Sequence, residues 1–252
     1  MIKILLSGAN GRMGKAITRL VKELETAEIV CGVDLNTESL EGFPVYKSFD
    51  AVQETPDVII DFSNPANFEN LMAFAKAKKL PVVVATTGLS KEQTEAMKQA
   101  SSEIPVFFSA NYSLGVNLIC ELAKKAARFL GDGFDIEIVE RHHNQKLDAP
   151  SGTALAIADS INEALDVPAQ YVYDRHSVRK KREKTEIGIH AVRGGTIVGD
   201  HTVIFAGNNE VIELKHSAAS REIFATGAVK AGIFMAGKAP GFYNMSDLIE
   251  AM

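Results

Sequence analysis

One short polar segment of this 252-residue sequence carries two imidazoles, an ammonium group and a carboxylate. His142, His143, Lys146 and Asp148 fall within seven residues and are followed by Ser151-Gly152-Thr153 at a predicted helix start. Imidazole and ammonium groups donate protons, and their positive charge attracts an anionic substrate. Backbone N–H groups at a helix start have no helical partner and can bind a carboxylate. The segment therefore indicates proton transfer beside a bound carboxylate.

Two other interpretations of this segment are open. A pair of histidines suggests a metal site, but no third ligand follows at a fixed spacing, and the adjacent ammonium group of Lys146 would oppose a cation. We therefore predict no metal. The remaining alternative is a solvated surface loop, against which stands the concentration of proton donors in so short a stretch.

A glycine-rich loop follows the first predicted strand and precedes a predicted helix. It runs Gly8-Ala9-Asn10-Gly11-Arg12-Met13-Gly14. Glycines let the backbone turn tightly and approach a pyrophosphate, and the helix N-terminus supplies N–H groups and partial positive charge. Asp34 ends the second predicted strand, 20 residues beyond Gly14, where a carboxylate accepts hydrogen bonds from ribose hydroxyls. Together these features predict a dinucleotide site formed by residues 8–13 and Asp34, rather than a purely structural turn.

Two further segments lie at the carboxyl ends of later predicted strands, where open α/β sheets bind ligands. They are Ala85-Thr86-Thr87-Gly88 and Ser109-Ala110-Asn111-Tyr112. Small and hydroxyl-bearing residues at a strand end are also ordinary turn formers. Because both segments fall on the same predicted sheet edge as the glycine loop, we predict that residues 85–87 and 109–112 form walls of a nicotinamide site.

These segments require a scaffold, and the first half of the chain predicts a parallel sheet. Short apolar runs alternate with longer amphipathic stretches, a pattern typical of βαβ units. Strands are predicted at 3–7, 29–33, 58–62, 82–85 and 106–109, and helices at 12–24, 65–79 and 91–102. The pattern predicts an α/β, Rossmann-like domain that ends close to Tyr112.

From residue 113 the pattern changes to that of a small mixed α+β domain. Helices are predicted at 113–130 and 152–165, and strands at 135–140, 186–193, 201–206 and 210–216. A last helix is predicted at 223–236, and its pattern allows it to pack on either domain. The run Arg179-Lys180-Lys181-Arg182 stands beside Glu183 and Glu186, so we interpret it as a solvated loop rather than a nucleic-acid patch.

Composition and charge narrow the class of protein. Hydrophobic residues make up 46% of the chain and charged residues 23%, as in average globular domains, and the net charge of −5 argues against a nucleic-acid partner. No run approaches the ~20 apolar residues of a membrane span, and the N-terminal apolar run is too short for a signal peptide. We therefore expect a cytoplasmic enzyme with no membrane partner. Cys31 and Cys120 lie in apolar segments and are predicted to be buried, inert thiols.

Residues 140–154 have the sequence ERHHNQKLDAPSGTA. This string resembles the signature E-x-H-H-x-x-K-x-D-x-P-S-G-T-A of the 4-hydroxy-tetrahydrodipicolinate reductases, also called dihydrodipicolinate reductases. The resemblance covers nearly the whole chain, because GANGRMG, DF, ATTG, ANYSLGVN, VGDH and SREIFA also occur in the family order.

The resemblance implies a reaction and a set of site residues. The reaction is reduction of 4-hydroxy-tetrahydrodipicolinate, a small dicarboxylate, to tetrahydrodipicolinate with NADH or NADPH and loss of water, in lysine and diaminopimelate biosynthesis. His142 would be the principal proton donor, and Lys146 would pair with a substrate carboxylate and assist protonation. His143 and the segment Ser151-Gly152-Thr153 would hold the carboxylates.

The resemblance also implies the domain organisation. A dinucleotide-binding domain would comprise residues 1–112 and 222–252. Residues 113–221 would form the smaller mixed-sheet domain for substrate binding and oligomerisation, whose sheet makes the subunit contacts of a homotetramer.

The sequence departs from the family pattern near the ribose acid. Leu35 follows Asp34 where relatives that prefer a 2′-phosphate carry a basic residue, and Asn64 stands where some relatives place Arg. A 2′-phosphate would then meet the Asp34 charge without an adjacent cation. We therefore predict that NADH is preferred and that NADPH is also used.

Other function classes fit these residues less well. A nucleotide-sensing regulator would use the Rossmann-like part but has no need of His142 and Lys146, and a structural oligomer explains neither loop. Among enzymes, the nearest rival is an NAD-dependent dehydrogenase of a small dicarboxylate, of the aspartate or malate type.

Overall fold

A computed structural model describes residues 1–39 and 42–252 of the chain. Two sheets, of seven and five strands, organise two units. The first unit comprises Met1–Leu114 with Glu222–Met252, and the second comprises Gly115–Arg221. The sequence placed the first boundary after residue 112, whereas here it follows Leu114, the first residue of a helix.

All the strand pairs described in the seven-stranded sheet are parallel. Numbered in chain order, its strands are β1 (Ile2–Ser7), β2 (Ala27–Val33), β3 (Val45–Tyr46), β4 (Val58–Asp61), β5 (Val82–Val84), β6 (Pro105–Phe108) and β12 (Gly241–Tyr243). Their order is β12-β6-β5-β4-β1-β2-β3. The carboxyl ends of β1, β4 and β5 therefore lie side by side at one edge, as expected for a Rossmann-like sheet.

Five α-helices belong to the described residues of this unit. They are α1 (Arg12–Lys22), α2 (Phe68–Lys78), α3 (Lys91–Ala100), α6 (Glu222–Met235) and α7 (Met245–Glu250), with 3₁₀ turns at Phe49–Ala51 and Pro65–Asn67. Local signals explain their starts: Ser90 and Gln93, for example, form a capping box at α3. The packing of α6, which the sequence left open, is now assigned, because Ala228 and Met235 share a buried apolar cluster with Ile4 of β1.

The sequence missed two of the short strands of this unit, β3 and β12. Strands β3 and β12 have two and three residues, too few to show a period of two. Their positions follow instead from pairing, since Val33 of β2 aligns with Tyr46 of β3 and Phe242 of β12 aligns with Val106 of β6.

The second unit has a mixed sheet, as predicted. Its helices are α4 (Leu114–Leu130) and α5 (Gly152–Asn162), with a 3₁₀ turn at Gly131–Gly133, and its strands are β7 (Asp135–His142), β8 (Gln170–Val172), β9 (Glu186–Arg193), β10 (Gly199–Ala206) and β11 (Val211–Ala218). The order is β11-β10-β7-β9-β8. Strand β10 runs antiparallel to β7 and β11, whereas β9 runs parallel to β7 and β8.

The two faces of this sheet differ. Ile138 of β7 and Phe205 of β10 are fully buried in one cluster with Ile157 of α5. Successive side chains of a strand point to opposite faces, and the alternate residues Val139 and Ile204 are half-buried. In residues 115–221 both α-helices contribute to the buried cluster, so the opposite face carries no helix of this unit.

The prediction of a solvated loop at 179–182 holds for Arg179, Lys180 and Lys181, which are exposed, and fails for Arg182. The side chain of Arg182 is only 17% exposed. Its guanidinium donates to Glu137 Oε1 at 2.9 Å and to Asp135 Oδ1 at 2.9 Å, and also to the carbonyl of Glu186. Arg182 therefore fastens the run to β7 and β9 instead of lying in solvent, whereas Lys180 is exposed and pairs with Glu183 at 3.0 Å.

Both cysteines are free thiols. Burial raises the pKa of Cys31 to about 12 and that of Cys120 to about 11, so both stay protonated near neutral pH, although Cys120 is half-buried and not buried. Within the described part of the chain, no helix combines the length and apolar character needed to cross a membrane.

Candidate active site

The loop after β1 is shaped by glycine. Gly8 has a φ of +80°, and a Cβ atom there would lie 2.6 Å from the carbonyl oxygen of Phe62, so only glycine fits without strain. At Gly14 a Cβ atom would collide with the carbonyl oxygens of Gly8 and Ala9. Gly11 is the N-cap of α1, contributes no side-chain cap, and no acidic residue occupies the first turn. The helix start therefore presents backbone N–H groups suited to an anion such as a pyrophosphate.

Asp34 holds this loop from the end of β2. Its Oδ2 atom accepts a hydrogen bond from the backbone N–H of Asn10 at 3.0 Å, and its Oδ1 atom accepts one from the N–H of Asn36 at 3.1 Å. The amide of Asn10 in turn donates to the carbonyls of Asn36 and Glu38. A carboxylate oxygen accepts more than one hydrogen bond, so Asp34 keeps acceptor capacity for ribose hydroxyls.

A cavity of about 460 Å³ opens beside this loop. It is lined by Gly8, Gly11, Val33, Asp34, Leu35, Lys47, Phe62, Ser63, Asn64, Ala66 and Asn67. The side chain of Leu35 is 86% exposed and offers an apolar surface for a base. A glycine cradle, a ribose-binding carboxylate and an apolar wall are the parts that a dinucleotide requires, so the residues present fit that group.

Lys47 is a cavity residue that the sequence did not reveal. It follows Tyr46, whose carbonyl accepts a hydrogen bond from the N–H of Asp34 at 3.0 Å, and Val33 and Tyr46 are aligned in the sheet. Asp34 and Lys47 therefore leave adjacent strands at the same level and line the same cavity. Pairing through the two-residue strand β3 therefore brings a lysine, which the local sequence pattern did not reveal, to the cavity that Asp34 lines.

Side-chain hydrogen bonds hold the segments after β5 and β6 in place. Thr86 and Ser63 donate to the two oxygens of Asp61, each at 2.6 Å, and burial raises the pKa of Asp61 despite these bonds. The hydroxyl of Tyr112 donates to the carbonyl of Val84 at 2.7 Å. The hydroxyls of Thr86 and Tyr112 are thus already bonded within the sheet edge, whereas Thr87 is exposed.

The second unit concentrates its polar groups at the end of β7. Glu140 is fully buried, and His142 is 8% exposed. Nδ1 of His142 lies 2.6 Å from Oε2 of Glu140. Arg193 of β9 donates to both oxygens of Glu140, at 2.8 and 2.7 Å. The imidazole predicted to donate a proton is therefore paired with a carboxylate that an arginine holds in place.

Ser151 connects this group to α5 and β10. Its backbone N–H donates to Oε1 of Glu140 at 3.0 Å, and its hydroxyl accepts from the N–H of Ala154 at 3.1 Å. The same hydroxyl lies 3.0 Å from Nε2 of His201. Ser151 is 2% exposed, so its polar atoms serve the helix cap and this network. Burial, followed by repulsion from His142, lowers the pKa of His201 to about 4, which keeps that ring neutral near pH 7.

The loop between β7 and α5 holds the remaining predicted residues. Nζ of Lys146 lies 2.8 Å from Oδ1 of Asp148, and this bond lowers the pKa of Asp148. The backbone N–H of Lys146 donates to the carbonyl of His143 at 3.2 Å. Arg193 also donates to the carbonyl of Asp148 at 2.7 Å and so fixes the loop against β9. No acidic residue lies in the first turn of α5.

Three residues of this cluster carry roles that sequence reasoning missed. Arg193 and His201 lie 53 and 50 residues from their partners Glu140 and Ser151, and no local pattern connects such positions. Glu140 belongs to the signature string, but its role depends on both partners. Among the described residues there is no group of three or more His, Cys, Asp or Glu arranged to hold a metal.

Family models match both parts of the chain. The model described as dihydrodipicolinate reductase, N-terminus, matches residues 2–112, and the model described as dihydrodipicolinate reductase, C-terminus, matches residues 115–249. A curated 4-hydroxy-tetrahydrodipicolinate reductase of Caldanaerobacter subterraneus subsp. tengcongensis is 55% identical over 250 residues, which is 99% of each chain. That of Clostridium tetani is 49% identical, over 100% of this chain and 98% of its own.

A solved structure is similar across the same length. The dipicolinate-bound dihydrodipicolinate reductase from Paenisporosarcina sp. TG-14 superposes with a TM-score of 0.81 at 26% identity, covering 97% of each chain. A myo-inositol dehydrogenase from Corynebacterium glutamicum has a TM-score of 0.60 at 18% identity, which shows a shared fold alone.

Proposed function

Because this chain belongs to the dihydrodipicolinate reductase family, we propose that it reduces 4-hydroxy-tetrahydrodipicolinate to tetrahydrodipicolinate, with NAD(P)H as reductant and loss of water. The enzyme then acts in lysine and diaminopimelate biosynthesis, in the cytoplasm. The observation that carries the proposal is the buried pairing of His142 with Glu140, in a chain whose relatives bear the reductase name. The same names favour this reaction over that of an aspartate- or malate-type dehydrogenase.

His142 serves as the proton donor. Its Nδ1 atom faces Glu140, so its Nε2 atom is the one left to act on substrate. A positioned general acid of this kind contributes about 10²- to 10⁴-fold to a rate. Proton transfer from Nε2 to the ring carbon next to the one that accepts hydride completes the reduction.

The substrate carboxylates bind at the start of α5. Gly152 and Thr153 open the helix, where N–H groups and the helix dipole favour an anion. Lys146 and His143 add positive charge from the preceding loop. Lys146 exchanges its contact with Asp148 for a substrate carboxylate and then assists protonation. Ser151 supports these groups as the helix cap, because its own polar atoms are already bonded.

The first unit holds the dinucleotide. Residues 8–13 bind the pyrophosphate, Asp34 binds the adenosine ribose, and Leu35 contacts the base. Residues 85–87 and 109–112 border the nicotinamide, with Thr86 and Tyr112 contributing backbone rather than hydroxyl groups. Bound NAD(P)H supplies the hydride.

Both cofactors are accepted, with NADH preferred. Asp34 bonds well to a free ribose, whereas a 2′-phosphate brings like charge close to it. Lys47 partly offsets that repulsion, because this lysine lines the same cavity. The preference for NADH is therefore modest and depends on the balance between Asp34 and Lys47.

The protein assembles as a homotetramer through the helix-free face of the second sheet. That face carries Val139, Thr202 and Ile204 beside a salt bridge of 2.9 Å between Arg141 and Asp200. A mixture of half-buried apolar residues and a paired charge suits contact with a second copy. Light scattering of the eluted protein should give four times the chain mass of 27.2 kDa, and a monomeric mass would refute the assembly.

The reaction is tested with the product of dihydrodipicolinate synthase as substrate. We expect NADH to be consumed only when that product and this protein are both present. Aspartate or malate with NAD⁺, assayed in parallel, should give no reduction of the cofactor. Turnover of either acid, without turnover of the synthase product, would refute the reductase proposal and support the aspartate- or malate-type dehydrogenase.

A further inference from the structure

We propose that Glu140 is a positioning residue that fixes the tautomer and direction of His142, and that Arg193 and the N–H of Ser151 hold Glu140 in the required orientation. The proposal rests on the proposed function in one respect, that His142 donates the proton. Its geometric part concerns the imidazole alone and is measurable without substrate.

The carboxylate of Glu140 has no freedom to turn. Its Oε1 atom accepts from Arg193 at 2.7 Å and from the N–H of Ser151 at 3.0 Å. Its Oε2 atom accepts from Arg193 at 2.8 Å and lies 2.6 Å from Nδ1 of His142. The planar guanidinium engages both oxygens, which fixes the plane of the carboxylate. Three elements, β7, β9 and the start of α5, thus converge on one buried group.

Glu140 is charged at neutral pH. Burial alone would raise its pKa, but the bonds from Arg193, His142 and Ser151 outweigh burial and hold the pKa below its usual value. An ionised carboxylate only accepts hydrogen bonds. The facing Nδ1 atom of His142 must therefore carry a proton, in the neutral as well as the charged ring.

This arrangement leaves the second ring nitrogen for proton transfer. Because Nδ1–H is hydrogen-bonded to Glu140, proton exchange takes place at Nε2. The backbone of Gly199 adjoins Nε2, since a Cβ atom at residue 199 would lie 3.0 Å away. The ring of His201 meets that of His142 edge to face at 5.2 Å and restricts its rotation.

The charged and titratable groups around the pair come from every neighbouring strand. Arg193 of β9 bonds to Glu140, and His201 of β10 adjoins His142. Asp200 of β10 and His216 of β11 act on His201 through their charge. Because His201 stays neutral near pH 7, Glu140 is the charged group bonded directly to the His142 ring.

The first experiment reads the tautomer directly. Nitrogen-15 spectra of the histidine side chains, with His142 assigned by comparison with H142Q, distinguish Nδ1–H from Nε2–H. We expect the neutral ring of wild type to be in the Nδ1–H form. Glu140→Gln should convert it to Nε2–H, because the amide that replaces Oε2 donates where the carboxylate accepted. An Nε2–H ring in wild type, or an unchanged tautomer in E140Q, would overturn the proposal.

Glu137→Gln is the matched control. Glu137 lies on the same strand but on the opposite face, and it also bonds to arginines and to a histidine, with Nε2 of His190 at 2.7 Å from Oε2. The control should not change the tautomer of His142. If E137Q alters the tautomer as E140Q does, the effect is general to strand β7 and the proposal fails.

Kinetics then connect the geometry to the reaction. In E140Q we expect kcat to fall on the order of 10²- to 10⁴-fold, with the Kd of NADH unchanged. Glu140→Asp keeps the charge and should retain the Nδ1–H tautomer and more of kcat than E140Q. A fall in kcat equal in E140Q and E140D, with the Nδ1–H tautomer kept in both, would reduce Glu140 to a structural residue.

The two proposals fail in different ways. If wild type does not reduce the synthase product, the proposed function fails while the tautomer measurement still stands. If E140Q does not fold, the wild-type and E140D spectra still decide the tautomer. If wild type is active but His142 is Nε2–H, the positioning role fails and the reductase function remains.

Discussion

Gly199 of β10 lies against the imidazole of His142 in β7. A Cβ atom at residue 199 would stand 3.0 Å from Nε2 and 3.4 Å from Cδ2 of that ring. Since Nδ1 on the other side of the ring faces Glu140, a side chain at residue 199 would press the ring toward the carboxylate or cover the nitrogen that meets substrate. The absence of a side chain at this position is therefore part of the proposed site.

Gly199→Ala should lower kcat by about 10-fold with little change in the Kd of NADH, because a displacement below 1 Å at a reacting group carries a cost of that order. Gly133→Ala is the control, since a Cβ atom at residue 133 would meet nothing within 4 Å. Steady-state kinetics of both variants provide the measurement. Equal kcat in G199A and G133A would show that a Cβ atom at residue 199 does not disturb Nε2 of His142.

His142→Gln should lower kcat by about 10²- to 10⁴-fold and leave NADH affinity near that of wild type, because the proposed general acid belongs to the second unit and the proposed dinucleotide site to the first. His176→Gln serves as the control, since that imidazole has 87% of its side chain exposed and bonds to Asp174. If H142Q keeps more than about half of the wild-type kcat, His142 is not the proton donor.

Lys146→Ala should lower kcat and raise KM together. In the proposed mechanism the ammonium group pairs with a substrate carboxylate before the reaction and assists protonation during it, so the substitution should remove both ground-state binding and transition-state stabilisation. Lys181→Ala makes the same change of charge at an exposed position and should affect neither constant. A rise in KM alone would restrict Lys146 to binding.

The cofactor preference should respond in opposite directions to two substitutions. Lys47→Ala should reduce kcat/KM for NADPH by about 10-fold, a loss of ~1.4 kcal/mol typical of one charge-assisted contact, and change NADH little. Leu35→Arg should raise kcat/KM for NADPH by supplying a partner for the 2′-phosphate. Both variants are compared with wild type at one ionic strength, because salt screens such contacts. An unchanged NADPH constant in K47A would show that Lys47 does not reach the phosphate.

The free energy of unfolding should decrease as the pH is lowered, and part of this decrease should come from His201. Burial lowers the pKa of His201 to about 4 from 6.5, so between these pH values the unfolded chain binds a proton at this residue and the folded chain does not. The contribution of the neutral ring to the free energy of unfolding is complete above pH 6.5 and is lost as the pH falls toward 4. Between pH 7 and pH 5 the free energy of unfolding should therefore decrease by about 2 kcal/mol through this residue.

Urea unfolding of wild type and His201→Asn at both pH values tests this linkage. The free energy of unfolding should drop by about 2 kcal/mol more in wild type than in the variant. The other titrating groups are common to both proteins and cancel in the comparison. Equal drops would mean that His201 takes up its proton in the folded state without penalty.

Local patterns in the sequence determined most of the elements. The strand predicted at 186–193 matches β9, and the helices predicted to begin at residues 12, 91 and 152 begin there. Apolar periodicity and capping residues act over three or four neighbours, so they can be recognised in the chain itself. The family and the reaction were also accessible, because the signature string 140–154 and the glycine loop are contiguous.

The tertiary structure decided which distant residues meet. Arg193 reaches Glu140 across 53 residues because β9 aligns with β7, and Lys47 reaches the level of Asp34 because a two-residue strand pairs with β2. Arg182 likewise bonds to Glu137, which is distant in sequence, because the fold brings the two residues together. Strand pairing and register are set by the whole sheet and not by any local pattern. The sequence thus predicted which groups do the chemistry, and the fold determined which distant partners surround them.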